Sequence, residues 1–205
     1  MRYEKGRKDT SRRRIMDVAI EHFRTDGIAA SGLAAIMKDA GLTNGAFYPH
    51  FPSKTDLVRE TIPDALARQS EWLRGVLDEG GIERLIDIYL SPQHRDNPGQ
   101  GCASAALLPE LARQPDETRG MYAKQSRTLV RQLADALPAD VEAKEDIACA
   151  IFATLIGTLQ LARAVDKETS DRILRSARNS IRALANPAHP PDSPNDQQRA
   201  RITFE

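Results

Sequence analysis

Cysteine is nearly absent from this chain of 205 residues: Cys102 and Cys149 lie far apart and form no C-x-x-C pair. That excludes a disulfide framework and a cysteine-based zinc site as the basis of the fold. Aromatic residues make up 5% of the chain, with one tryptophan, Trp72. No apolar run approaches the roughly 20 residues that span a bilayer, and the basic N-terminus lacks the apolar core of a secretory signal. A cytoplasmic protein without a membrane partner is expected. The four histidines, His22, His50, His94 and His189, are scattered, with no H-E-x-x-H, no carboxylate pair beside a base and no Gly-rich phosphate loop. Neither an enzyme nor a protein with a metal or other cofactor is expected. Strand-period alternation and internal repeats are missing as well, which leaves an all-α chain.

Net charge is zero, so the chain is no generic polyanion binder, yet the charges are unevenly placed. Residues 1–60 hold eleven Lys/Arg against eight Asp/Glu, and residues 1–14 alone hold seven against two. Such an arm suits phosphate contact, although a basic terminus is also compatible with a plain solvated tail.

The densest local signal runs from Ser31 to Leu57, SGLAAIMKDAGLTNGAFYPHFPSKTDL. A first helix is expected over Ser11–Thr25, with Ile15, Val18, Ala19 and Phe23 on one face and Gly27 beyond its end. Ser31 stands where the N-cap of a second helix belongs, and Leu33, Ile36 and Met37 give that helix its apolar face. Gly41 ends it, and Thr43 is placed to cap a third through its hydroxyl. Two short helices joined by a tight turn form a helix-turn-helix, whose second helix fits the major groove of DNA. In TNGAFYPHF, Thr43, Asn44 and Ala46 near the helix start are expected to meet base edges. Gly45, without a side chain, lets the backbone approach the duplex. Phe47 and Phe51 read as core.

The segments IMDVAIEHF and AGLTNGAFYPHFPSKTDLV resemble the N-terminal domain of the TetR/AcrR family of one-component transcriptional repressors, a match covering about Ile15 to Val58. The resemblance implies an all-helical homodimer. It would bind a palindromic double-stranded DNA operator and be released by a small-molecule effector in a larger C-terminal domain. It also implies phosphate contacts from Tyr48 and His50, and a Lys54 that anchors the following helix to the DNA backbone. With Ser31 these complete the expected DNA-facing set. Pro49 departs from the usual family pattern and removes an N–H donor, which tightens or shortens the reading helix.

Three regions follow from this reading: a three-helix DNA-binding domain over 1–55, a helical ligand-binding and dimerisation domain over 56–185, and a disordered tail over 186–205. A long fourth helix starts at Ser53, whose spacing to Asp56 resembles a capping box. Pro63 is expected to bend it, and Gly80-Gly81 to close it. Further helices are expected over Ile82–Leu90, Ala103–Arg113, Asp116–Leu137, Val141–Val165 and Ser170–Leu184, with SPQHRDNPGQG as a loop. The apolar stripe on Val141–Val165 is wide enough to serve a two-fold contact, with Ile151 and Leu155 in that contact or in the core beside it.

Cys102, in GQGCASAALLPELA, precedes a helix N-terminus that would favour thiolate. The segment resembles a TetR subgroup that includes sensors of quinones, aldehydes and maleimides. A small buried hydrophobe accounts for the same residue. Cys149 reads as packing, Trp72 as core or as a ligand platform, and Arg113, Arg119 and Arg127 as pocket charges or solvated faces. A helical protein-interaction adaptor explains the C-terminal helices, but neither the basic arm nor TNGAFYPHF.

Overall fold

A computed structural model describes the backbone of residues 2–186 and the side chains of residues 8–186. The basic side chains ahead of Lys8, the tail after Asn186 and His189 lie outside the described residues. Eight α-helices and no strands occur among the described residues: α1 Arg2–Asp26, α2 Leu33–Asp39, α3 Lys54–Tyr89, α4 Pro92–Asp96, α5 Ala103–Leu111, α6 Asp116–Asp135, α7 Lys144–Ala164 and α8 Lys167–Ala185. The fold is all-helical, as expected. α1 begins well before Ser11, because the Lys, Arg and Glu there are good helix formers with only Gly6 to interrupt them.

Helix ends follow local chemistry. Gly27, just beyond α1, has φ 85°. Gly41 has φ 66°, its N–H bonds Lys38 O, and Leu42 N–H bonds Met37 O. That 6→1 and 5→2 pair is a Schellman ending, which explains the sharp stop of α2. Ser53 caps α3: its hydroxyl oxygen accepts from Asp56 N–H at 3.2 Å and donates to the Asp56 carboxylate at 2.7 Å. The backbone of α3 stays helical through Pro63, and its interruption lies at Gly80 and Gly81, the latter at φ 61°.

The segment expected as a loop contains α4 and a 3-10 turn, Pro98–Gln100. Ser91 caps α4 by accepting from His94 N–H, with Pro92 in the first turn. Buried Arg95 ties α4 to α8 through Ser170 at 2.9 Å and Asp171 at 2.8 Å.

Two apolar cores organise the chain. One joins Phe23 of α1, Ile36 of α2, Phe47, Phe51 and Leu57 with Ala103, Leu107 and Leu111 of α5. The other joins Leu85 of α3, Leu129 and Leu133 of α6, and Ile151, Leu155 and Leu159 of α7 with Cys102 and Ala105 of α5. α5 thus sends residues i, i+4 and i+8 into the first core and its other side into the second. It is packed into both.

α7 is, by length and composition, apolar enough to cross a membrane, contrary to the expectation that no run would be; 39% of its most apolar 18 residues are buried. The reason is that α7 carries two apolar faces. Ala148, Ile151, Leu155, Leu159 and Ala162 are buried against the chain's own helices, so Ile151 and Leu155 are core residues. Ala150, Ala153, Gly157, Leu161 and Ala164, at spacings of three and four, remain exposed or half-buried, with Leu161 59% exposed. Cys149 is exposed rather than packed.

Candidate nucleic-acid interface

The segment expected as a reading helix is a single tight turn. Asn44–Ala46 is a 3-10 helix, and its neighbours continue the same short-range bonding: Ala46 N–H to Thr43 O, Phe47 N–H to Asn44 O and His50 N–H to Phe47 O. Pro49 accounts for much of this. It has no N–H to give to Gly45 O, and it pushes Tyr48 away from α geometry. Phe51 N–H reaches Phe47 O at 3.0 Å and closes the turn.

Beneath the turn, Phe47 and Phe51 are buried and stacked with centroids 5.7 Å apart, in the first core as expected. The Arg12 guanidinium lies 4.7 Å over the Phe51 ring. This anchors the turn and leaves its outer side free. Thr43, Asn44 and Gly45 are exposed and Ala46 is half-buried. Thr43 occupies the N-cap position without a side-chain cap bond. A Cβ built on Gly45 would meet nothing within 4 Å, so a docking surface can reach the backbone there. Tyr48 is 66% exposed and packs edge-on against Phe47. Lys54 Nζ donates to Ala29 O at 3.3 Å, which holds the start of α3 against the turn before α2.

Ser31 is placed differently from expectation. It is buried, and its hydroxyl donates to Gly27 O at 2.6 Å, while Gly32 holds the N-cap position of α2. The short link after Gly27 folds Ser31 inward, so it is not on the outer face. In the N-terminal arm, Arg12 pairs with Glu60 and Arg13 with Asp17 and Asp64. These two arginines bind α1 and α3, contrary to a purely phosphate-facing arm. His50 is half-buried, and among the described residues its Nδ1 has no partner; burial, then the positive charge of Lys8 and Arg12, pushes its pKa below the usual value.

A second feature lies where α1 meets α3 and α4: a cavity of about 910 Å³. Val18, Glu21 and Arg24 of α1 line one side, Gln69 and Trp72 of α3 another, and His94 with Cys102 the end. Trp72 is 41% exposed, so it is a wall residue and not core. Cys102 is buried at the N-cap of α5, where its sulfur accepts from Ala105 N–H at 3.4 Å. His94 fixes this corner. Its Nδ1 lies 2.7 Å from Tyr89 O, and its Nε2 accepts from Cys102 N–H at 3.1 Å. Accepting at Nε2 requires a neutral ring, and burial depresses the His94 pKa accordingly, aided by the nearby charges of Arg163 and Arg24.

Glu110 was not singled out by the sequence, because its partners lie 82 and 81 positions away. Its carboxylate accepts from Ile28 N–H at 2.9 and 3.0 Å and from Ala29 N–H at 3.2 Å. Through these bonds the far end of α5 grips the same turn that Lys54 holds.

Comparison with known proteins agrees with this geometry. The model of the bacterial regulatory proteins of the tetR family matches residues 15–61. The HTH-type transcriptional regulator AcrR of Shigella flexneri is 41% identical over 59 residues, which is 29% of this chain and 27% of that protein. The HTH-type transcriptional regulator SrpR of Pseudomonas putida is 27% identical over 86% of this chain and 85% of its own length. The uncharacterized HTH-type transcriptional regulator TtgW of Pseudomonas putida is 31% identical over 42% of this chain and 67% of its own length. Among solved structures, reduced E. coli NemR superposes with a TM-score of 0.69 at 19% identity, covering 84% of this chain and 95% of that one. Motif, turn geometry and relatives converge: the chain belongs to the tetR family of bacterial regulatory proteins and is a DNA-binding transcription regulator.

Proposed function

We propose that the protein is a repressor that binds a near-palindromic operator as a homodimer and is released when a small molecule or electrophile enters the cavity beside Cys102. The observation that carries this reading is the position of the cavity. Its walls come from α1, which belongs to the first core and supports the DNA-facing turn, from α3, which runs through both cores, and from the α4 segment. An occupant that favours one spacing of these helices over another shifts the population of DNA-competent states. Functionally, residues 1–55 read DNA and residues 56–185 bind partner and most of the effector, with α1 of the first region lending the cavity Val18, Glu21 and Arg24.

The proposed DNA-facing set is Thr43, Asn44, Gly45 and Ala46 at base edges, with Tyr48, His50 and Lys54 at phosphates. Lys54→Ala should weaken binding to all sequences and flatten its salt dependence. Asn44→Ala should instead relax base preference, costing about 1–3 kcal/mol of discrimination where the amide pairs with adenine. Fluorescence anisotropy on operator and scrambled duplexes separates the two. Unchanged affinity in both folded variants contradicts the contact set.

Cys102 is the proposed electrophile-responsive group. Its sulfur would add to a quinone or maleimide double bond, the thiol proton passing to the neighbouring carbon. An adduct at the start of α5 adds bulk where Cys102 now packs in the second core. Wild type challenged with a maleimide should release operator, and Cys102→Ser should keep it. Release that survives in Cys102→Ser makes the thiol a packing residue and leaves reversible occupancy of the cavity as the signal.

A further inference from the structure

We infer that the cavity takes an amphipathic organic anion, an aryl carboxylate, with Arg24 as its counter-ion and Trp72 as the wall for its ring. This rests on the reading of the cavity as the effector site and deepens it by naming the ligand's chemistry.

The charges around the cavity are not equally available. Arg68 is claimed by Asp17 at 2.6 Å and Asp64 at 2.9 Å. Asp17 is shared with Arg13, Glu21 holds the Gln100 amide, and exposed Asp87 lies 3.9 Å from Arg182. Arg24 differs from all of these. Among the described residues no carboxylate lies within salt-bridge distance of it; its Nη1 donates to Gly99 O at 3.3 Å, and its Nε is buried without a partner. Burial disfavours its charge and the charge of Arg68 adds to that, while Cys102 and Glu21 oppose it; the net effect lowers its pKa. Among the described residues Arg163, beside His94, is likewise hydrogen-bonded only to the carbonyls of His94 and Arg95, with no carboxylate in salt-bridge contact although the charge of Asp96 is near. Two partly buried guanidiniums without a carboxylate leave a positive corner, and a buried charge without a counter-ion gains most when one arrives.

The exposed carboxylates on the rim offer a cationic ligand much less, because ion pairs in water contribute little. The apolar side of the site is Val18, Ile20, Trp72 and Ile88, which fits a ring or short alkyl chain. Its volume falls in the roughly 300–1,000 Å³ range of small-molecule pockets. Arg24 stands on α1 and Trp72 on α3, so a ligand bridging them spans the two helices whose spacing the proposed release depends on.

The test uses three ligands of one shape: 4-phenylbutyrate, 4-phenylbutanol and 4-phenylbutylammonium. Trp72 is the only tryptophan, so its emission reports occupancy in the full-length protein without DNA. The carboxylate should bind at least tenfold more tightly than the alcohol, and the ammonium most weakly. Arg24→Gln should erase that preference and Arg24→Lys should restore most of it. Equal binding of acid and alcohol, tighter binding of the ammonium, or an unchanged preference in Arg24→Gln overturns the inference. Operator release is scored separately by gel shift. Release by the neutral or cationic compound with no acid preference keeps the effector reading and overturns the anion. Acid-selective binding lost in Arg24→Gln upholds the anion site even where operator is retained, in which case the effector reading fails.

Discussion

Leu161→Asp is expected to leave each protomer folded, convert the proposed dimer to monomers and lower operator affinity by about 10²–10⁴-fold, the factor that linking two binding modules supplies. Leu161 is more than half exposed on α7, so the substitution removes little from the protomer's core. It lies on the face formed with Ala150, Ala153, Gly157 and Ala164, where small side chains let a second helix approach closely. Val165, 40% exposed, extends the apolar surface at the helix end. In a two-fold contact, one substitution places two carboxylates at the same interface, each unpaired. Ile151→Asp is the control for a different failure, because Ile151 is fully buried within the protomer and its charge should unfold the chain. Sedimentation at micromolar concentration reads the outcome. A Leu161→Asp protein that still sediments as a dimer places the partner contact elsewhere.

Glu110→Ala should have the second large effect, on communication between the two cores more than on either core. It removes the acceptor of two backbone N–H groups: the half-buried Ile28 N–H, which costs up to about 1–3 kcal/mol when left without a partner, and the exposed Ala29 N–H, which water can take over. Amide exchange at Ile28 should rise by up to about 5–150-fold, the factor corresponding to that range, and exchange at Ala29 should rise less. Thermal unfolding should split into two transitions as the turn before α2 separates from α5. Operator affinity without effector should fall little, because Phe23, Phe47 and Phe51 still hold the DNA-facing turn. Unchanged exchange at both amides, or a complete loss of folded structure, contradicts a role for Glu110 as the grip between α5 and the turn.

The sequence was legible where a feature is local. Gly41 ends α2 through bonds within six residues, Ser53 caps α3 through Asp56, and Gly80-Gly81 interrupts α3 where a helix break was expected. The family pattern in TNGAFYPHF was legible for the same reason, and Pro49 announced the shortened turn. Residues whose roles depend on distant partners were not. Glu110 has no neighbour in sequence that signals its grip on Ile28, and Arg24 looks like any solvated arginine until α1 is packed beside Gly99. Ser31 carried the right cap chemistry one position too early, and its hydroxyl found the Gly27 carbonyl instead. Periodicity on α7 registered one broad apolar stripe. It took the packing of α6 and α8 to divide that stripe into a core face with Ile151 and Leu155 and an outer face with Leu161.

The turn Thr43–Ala46 is proposed to read DNA from a two-fold dimer. Hydroxyl-radical footprinting of the purified full-length protein on the DNA preceding its own gene tests it most directly. The expected result is protection in two symmetric tracts related by a dyad, their centres about one helical turn or a multiple of it apart, with Asn44→Ala blurring both tracts alike. A single unsymmetric tract, or protection that Asn44→Ala and Lys54→Ala leave untouched, contradicts it.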